Sequence, residues 1–256
     1  MKVVILCGGL GTRLREETEF RPKPMVEIGG RPVLWHIMRH YARHGFDEFV
    51  LCLGYKGGMI RDYFLTYAEM HADVRVDLGS RSVEHLGGQD KGESWKVTLV
   101  DTGAETATGG RLLQVERYLD DRFLCTYGDG VSNVDLRRLV AFHEQAGVPV
   151  TVTGVRPPSR FGEIVVENGL AVSFREKPPV VDAWVSGGFF VIDRAFLREV
   201  RAEDMFERAP LRRLAERRQL AVYEHAGYWA AMDTYRDVLA LNREWESGRP
   251  GWLEPS

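Results

Sequence analysis

Several short runs of this chain carry the residue types that phosphate chemistry needs. The first is Leu6-Cys7-Gly8-Gly9-Leu10-Gly11-Thr12-Arg13. Its glycines let main-chain N–H groups approach an anion closely, and successive N–H groups form a concave nest for phosphate. Arg13 adds a fixed charge and a planar fork of donors. In Arg21-Pro22-Lys23-Pro24-Met25 two prolines hold the backbone extended and fix Lys23 over the glycine loop. A lysine there would neutralise a triphosphate, or the charge that grows on a departing pyrophosphate. In Tyr127-Gly128-Asp129-Gly130 an aspartate stands between glycines, where a ligand and a hydrated cation can come close to the main chain. Magnesium is typically held by one or two carboxylates plus substrate phosphates, and Asp129 suits the first of these.

Other candidates stay open on the residues alone. Asp233, in Ala231-Met232-Asp233-Thr234, reads either as the second carboxylate of such a site or as the N-cap of the last helix. Glu176-Lys177-Pro178 offers an acceptor for sugar hydroxyls and a cation for a phosphate, and equally a charged turn before proline. Ser186-Gly187-Gly188 puts two glycines inside a strand, the mark of a close ligand or backbone approach. The five arginines from Arg208 to Arg218 read as a solvated helix face. Spacing also excludes functions. Leu14 stands where a dinucleotide fingerprint needs its third glycine, and the second strand ends at Leu53-Gly54 with no acidic residue for a ribose. There is no G-x-x-x-x-G-K-[ST] and no kinase signature.

The elements that must position these residues alternate. Val3–Cys7 is an all-apolar run of the kind that a parallel strand buried on both faces shows, Phe49–Leu53 reads as a second buried strand, and Lys96–Val100 and Phe123–Tyr127 as further strands. Between them lie helical patterns. One runs through Val33, Ile37, Met38 and Tyr41 after Pro32, another through Met59, Ile60, Tyr63, Phe64 and Tyr67, and a third through Leu112, Leu113 and Leu119. This predicts an α/β fold with a mostly parallel, Rossmann-like central sheet and helices on both faces. Val150–Val155, Glu163–Val166, Ala171–Arg175 and Val185–Ile192 predict a smaller, β-rich second part, closed by helices over Asp204–Arg218 and Thr234–Glu246. The segment His71–Lys96 has turn residues and no strong period, and reads as an excursion serving as a lid or an oligomer contact.

Composition narrows the partners. The 256 residues carry 34 Lys and Arg against 37 Asp and Glu, a formal charge of −3, which gives no electrostatic footprint for a nucleic acid or a membrane surface. No apolar run approaches the length of a signal-peptide core or a membrane span. Cys7, Cys52 and Cys125 have no C-x-x-C spacing and suggest no disulfide framework. The expectation is one soluble, cytoplasmic domain.

The runs Leu6–Leu14 and Pro22–Met25 resemble the signature of the sugar-1-phosphate nucleotidyltransferases. Met25–Gly30, Leu34-Trp35-His36-Ile37-Met38, Gly54-Tyr55-Lys56-Gly57, Val100–Gly103, Thr108-Gly109-Gly110-Arg111-Leu112, Thr126–Gly130, Arg160-Phe161-Gly162, Gly187–Val191 and Met232-Asp233-Thr234 extend the likeness over nearly the whole chain. The Trp-His-Ile-Met and Thr-Gly-Gly-Arg elements favour the cytidylyl branch of that family. The resemblance implies that CTP and α-D-glucose 1-phosphate give CDP-glucose and pyrophosphate. It implies a nucleotide-binding half over residues 1–147 and a sugar-phosphate-binding half with the C-terminal helices over 148–256. In the first, Leu6, Cys7, Gly8, Gly9, Leu10, Gly11, Thr12, Arg13, Lys23, Thr106, Arg111 and Gly128 would hold the nucleotide, with Arg111 on the base side. Arg13, Lys23 and Asp129 would be catalytic, and Asp129 and Asp233 would share Mg2+. Gly162, Glu176, Lys177, Ser186 and Gly187 would take the sugar phosphate, although Ser186 stands where the family has asparagine, which reaches further and offers more donors. The family's excursion between the second and third strands serves a homo-hexamer, and His71–Lys96 occupies that place. Within the same reading, the sugar or the pyrimidine triphosphate could differ. A non-catalytic nucleotide-sugar sensor is the contrasting class, and the joint presence of Lys23, Asp129, Lys177 and Asp233 argues against it.

Overall fold

Alternate residues along the inner strands face two separate apolar layers, which is why those strands read as unbroken hydrophobic runs. In a computed structural model, described over residues 1–87, 93–157, 163–167, 170–175 and 183–254, the chain opens with β1 (Val3–Leu6) and a short helix α1 (Arg15–Thr18). The small strands β2 (Glu27–Ile28) and β3 (Arg31–Pro32) lead into α2 (Val33–Arg43), β4 (Glu48–Leu53) and α3 (Gly57–Leu65). A hairpin, β5 (Asp73–Asp77) and β6 (Ser82–Gly87), precedes β7 (Lys96–Asp101), α4 (Thr108–Val115), β8 (Arg122–Tyr127), β9 (Gly130–Ser132) and α5 (Leu136–Ala146). The remainder comprises β10 (Val150–Val155), β11 (Glu163–Glu167), β12 (Leu170–Arg175) and β13 (Val185–Asp193). After these come α6 (Ala209–Glu216), β14 (Leu220–His225), β15 (Trp229–Ala231) and α7 (Tyr235–Glu246).

Seven strands form the central sheet in the order β14-β10-β13-β8-β1-β4-β7. Neighbours run parallel except at β13, which is antiparallel to both β10 and β8. Val3 and Ile5 of β1 point into a layer with Phe49 and Leu51 of β4 and Leu124 of β8, covered by α2, α5 and α7. Val4 and Leu6 point into the other layer, with Val50, Cys52, Phe123 and Cys125, covered by α4 and α6. The expected α/β sheet with helices on both faces is therefore what the chain builds, and it draws strands from both sides of residue 147.

Local signals set the helix ends. Asp135 caps α5 by accepting from the N–H groups of Arg137 and Arg138, and Gly147 ends it with a φ of 62°. The helix expected over Asp204–Arg218 is shorter, because Pro210 sits in its first turn and Phe206 is held back by a hydrogen bond from its N–H to the Thr108 hydroxyl. The helix through Leu112 and Leu113 ends at Val115, before Leu119. Strand β14 was not among the expected elements. The His71–Lys96 excursion contains the two-stranded ribbon β5–β6, whose side chains are nearly all exposed.

Candidate active site

Register brings the candidate runs together. Leu6 of β1 lies opposite Tyr127 of β8 and Cys52 of β4, so the glycine loop and Gly128-Asp129 leave the sheet side by side at the carboxyl ends of parallel strands. Glycine is required at two points of the loop. A Cβ at Gly8 would run into the guanidinium of Arg111, which lies directly beneath it. Gly11 has a φ of 62°, and a Cβ there would come within 2.6 Å of the Thr18 methyl. Thr18 in turn donates to the carbonyls of Gly11 and Leu14, pinning the loop to α1.

The loop walls a cavity of about 660 Å³. Leu6, Cys7, Gly8, Gly9, Leu10, Gly11, Thr12, Arg13, Lys23, Thr106, Arg111, Gly128 and Asp129 all line it, so every residue singled out for the nucleotide borders one space. Burial pushes the Cys7 thiol up, so the sulfur brings no negative charge to the loop. Ser186 and Gly187 of β13 do not border this cavity. The Gly187 carbonyl accepts from the Trp229 indole of β15, the strand paired with β9, which follows Asp129. Gly162, Glu176 and Lys177 lie outside the described residues.

At one end of the cavity four charges converge. The Lys23 ammonium donates to Asp129 Oδ2 at 2.6 Å and to Asp233 Oδ1 at 2.9 Å, and Arg13 donates to Asp233 Oδ2 at 3.1 Å. Burial works to lower the Lys23 pKa, but the two carboxylates outweigh it and hold the group above its ordinary 10.5. The N-cap of α7 is not Asp233 but Thr234, which forms a capping box with Asp237. The Asp233 carboxylate is thereby available to the charge cluster. Among the described residues no group of three or more His, Cys, Asp or Glu side chains forms a metal cage.

Arg111, besides lining the cavity, is held by main-chain and hydroxyl acceptors. It is 3% exposed, and its Nη atoms donate to Leu53 O, Thr102 Oγ1, Gly8 O and Ala104 O at 2.7–3.2 Å. These acceptors end β4 or follow β7 and β1, so the guanidinium clips three strand ends together under the glycine loop. Burial draws its pKa down, yet a guanidinium keeps its proton at neutral pH. None of those four acceptors is a carboxylate, so a positive charge stands beneath the nest of N–H groups. Tyr127 and Met205 also line the cavity without having been predicted. Tyr127 was visible as part of its motif, but Met205 comes from a loop far along the chain, between β13 and α6, and carries no local signal.

The nucleotidyl transferase family model matches residues 2–247. Glucose-1-phosphate cytidylyltransferases of Salmonella typhi and Salmonella typhimurium are each 45% identical over 255 residues, covering 98% of this chain and 98% of theirs. The crystal structure of HddC from Yersinia pseudotuberculosis shares the fold, with a TM-score of 0.69 over 95% of this chain and 99% of that one at 20% identity. The chain belongs to the nucleotidyl transferase family, in the branch of the glucose-1-phosphate cytidylyltransferases.

Proposed function

We propose that the chain transfers the cytidylyl group of CTP to α-D-glucose 1-phosphate, giving CDP-glucose and pyrophosphate. The choice of substrates follows the Salmonella relatives. The observation that carries the chemistry is the convergence of Arg13, Lys23, Asp129 and Asp233 at one end of a glycine-walled cavity. The nucleophile is an anionic phosphate oxygen, so no strong general base is needed. What limits the reaction is bringing two polyanions together with attack on the α-phosphorus in line with the departing pyrophosphate. Positioning contributes up to about 7–11 kcal/mol in favourable cases, and a cation or donor at developing charge about 3–4 kcal/mol.

In this reading the N–H groups of Gly8–Thr12 and the Arg13 guanidinium hold the phosphates, and Lys23 meets the charge that grows on the leaving group. Thr106, Arg111 and Gly128 complete the nucleotide pocket, with Arg111 acting chiefly by fixing the loop from below. Gly162, Glu176, Lys177, Ser186 and Gly187 take the sugar phosphate. The donor set suits magnesium: two carboxylate oxygens already point at one cation, the Lys23 ammonium, and magnesium asks for no more protein ligands than that. Asp129 and Asp233 would hold it, and when bound it neutralises the phosphates. Three buried, unpaired thiols suit a reducing, cytoplasmic setting. No helix among the described residues is long and apolar enough to cross a membrane. The exposed β5–β6 ribbon is the surface we assign to assembly of a homo-oligomer, a hexamer on the family likeness.

The test is pyrophosphate release with magnesium, crossing CTP, UTP, dTTP, ATP and GTP against glucose 1-phosphate and other hexose 1-phosphates. Release confined to CTP with glucose 1-phosphate is expected. Turnover with another sugar would move the specificity to Ser186, and silence across the grid with CTP still bound would favour a sensor.

A further inference from the structure

The cavity has a wall that none of the sequence motifs accounts for. Residues 200–207 cross from the second half of the chain and dock on the first turn of α4. The Gly109 N–H donates to Asp204 O at 2.9 Å, and the Phe206 N–H donates to Thr108 Oγ1 at 2.8 Å. A Cβ at Gly109 would stand 2.6 Å from Asp204 O, and one at Gly110 would run into Ala202 O. The two glycines before Arg111 thus serve the close approach of this loop.

One side chain of the loop reaches both β8 and α4. The Glu207 carboxylate accepts from the Tyr127 hydroxyl at Oε1 and from the Thr108 hydroxyl at Oε2, both at 2.8 Å. Tyr127 ends β8 and directly precedes Gly128-Asp129, on one side of the glycine loop. Thr108 opens α4, which follows β7 on the other side, in the sheet order β8-β1-β4-β7. Glu207 therefore ties the end of β8, the strand that leads into Gly128-Asp129, to the start of α4, the helix that carries Arg111. Met205, two residues away, stands in the cavity wall beside Thr106, Ala107 and Thr108.

We propose that Glu207 is a positioning residue for the nucleotide, and that the wall it anchors, with Met205 in it, closes the side of the cavity lined by Ala104–Thr108. This rests on the nucleotide reading above: with the phosphates at Arg13 and Lys23, the nucleoside end extends toward Ala104–Thr108 and Met205. A wall fixed in advance spares the nucleotide the cost of ordering it. Glu207 does not itself border the cavity, so its effect passes through Tyr127, Thr108 and Met205.

The test compares wild type with Glu207→Ala, Glu207→Gln and Met205→Ala. CTP affinity is measured calorimetrically without sugar phosphate, and KM and kcat are measured in pyrophosphate release. Loss of two hydrogen bonds to a charged acceptor predicts a rise of about 10-fold in CTP Kd and KM for Glu207→Ala. The kcat and the glucose 1-phosphate KM should change less than about threefold, because the charge cluster is untouched. Glu207→Gln should restore most of the affinity, since its amide can accept from Tyr127 and donate to Thr108. Met205→Ala should raise the CTP KM without lowering the melting temperature by more than a surface change would. If Glu207→Ala lowers only the melting temperature and binds CTP as wild type does, the positioning role is refuted. If Glu207→Ala does not fold, an unchanged CTP Kd in Met205→Ala refutes it instead. A wild type that ignores CTP but turns over another triphosphate overturns the substrate reading alone, and the same comparison with that triphosphate then decides the role of Glu207.

Discussion

Replacing Lys23 by methionine isolates the ammonium at the centre of the charge cluster. Its side chain is 11% exposed, against 15% for Asp233 and 31% for Asp129. At 2.6 and 2.9 Å and an effective dielectric of about 20, each ion pair has a gross attraction of about 6 kcal/mol. Most of that is offset by desolvation, and breaking a buried pair typically costs about 3–5 kcal/mol. Here Asp129 is partly solvated and Arg13 remains on Asp233, so we expect about 2–3 kcal/mol, or roughly 5–10 °C in Tm for a chain of this size. A divalent cation should then recover part of the loss, because the two carboxylates no longer share an ammonium. At ten times its Kd, magnesium would restore about 1.4 kcal/mol. The assay is thermal unfolding of Lys23→Met and wild type at neutral pH, with and without millimolar magnesium. The same pairs carry a pH signature. The Lys23 pKa is raised on folding, so their stabilisation is complete below 10.5 and is lost as pH rises through the folded value. An unchanged Tm in Lys23→Met, indifferent to magnesium, would refute the reasoning.

Two further expectations follow from the same structure. Gly8→Ala places a methyl where the Arg111 guanidinium lies, so it should displace the clip under the loop and weaken CTP binding more than about 10-fold, measured by calorimetry, with the parallel sheet intact by circular dichroism. His36 and His40 are buried and held neutral. Burial draws His36 down to about 4 and, with His44 beside it, His40 down to about 3. Their folded values lie below the unfolded 6.5, so stability is full above that value and falls as the unfolded state takes up protons below it. His36 alone should contribute a loss of about 3 kcal/mol by pH 4. Urea unfolding from pH 7 to 4 checks this, and a flat profile would contradict it.

What could be read from the sequence divides along physical lines. The inner strands β1, β4 and β8 were legible because burial on both faces leaves their middles almost wholly apolar, and the glycine loop and Asp129 because they lie at the ends of those runs. Strand β14 escaped because it is an edge strand with only His225 buried, and its short apolar run Leu220–Tyr223 stops at Glu224. The β5–β6 ribbon has almost no buried face, so its sequence carries no period to detect. Asp233 was ambiguous because a helix start and a charge cluster ask for the same residue type, and the Thr234–Asp237 capping box separates the two. The place of Arg111 at the cavity was legible in its motif, but its four acceptors were not, because a motif does not show which way a guanidinium's donors turn. Glu207 and Met205 could not be found locally at all, since their partners Thr108 and Tyr127 lie 99 and 80 residues away from Glu207.

The central claim is that the carboxylates facing Lys23 form the catalytic end of the nucleotide cavity. Asp129→Asn tests it most directly, with pyrophosphate release from CTP and glucose 1-phosphate measured at saturating substrates and magnesium. The expected result is a fall in kcat of about 10²–10³-fold, the usual cost of losing one contact made at developing charge, with CTP still bound. A variant that turns over at close to the wild-type rate would contradict it.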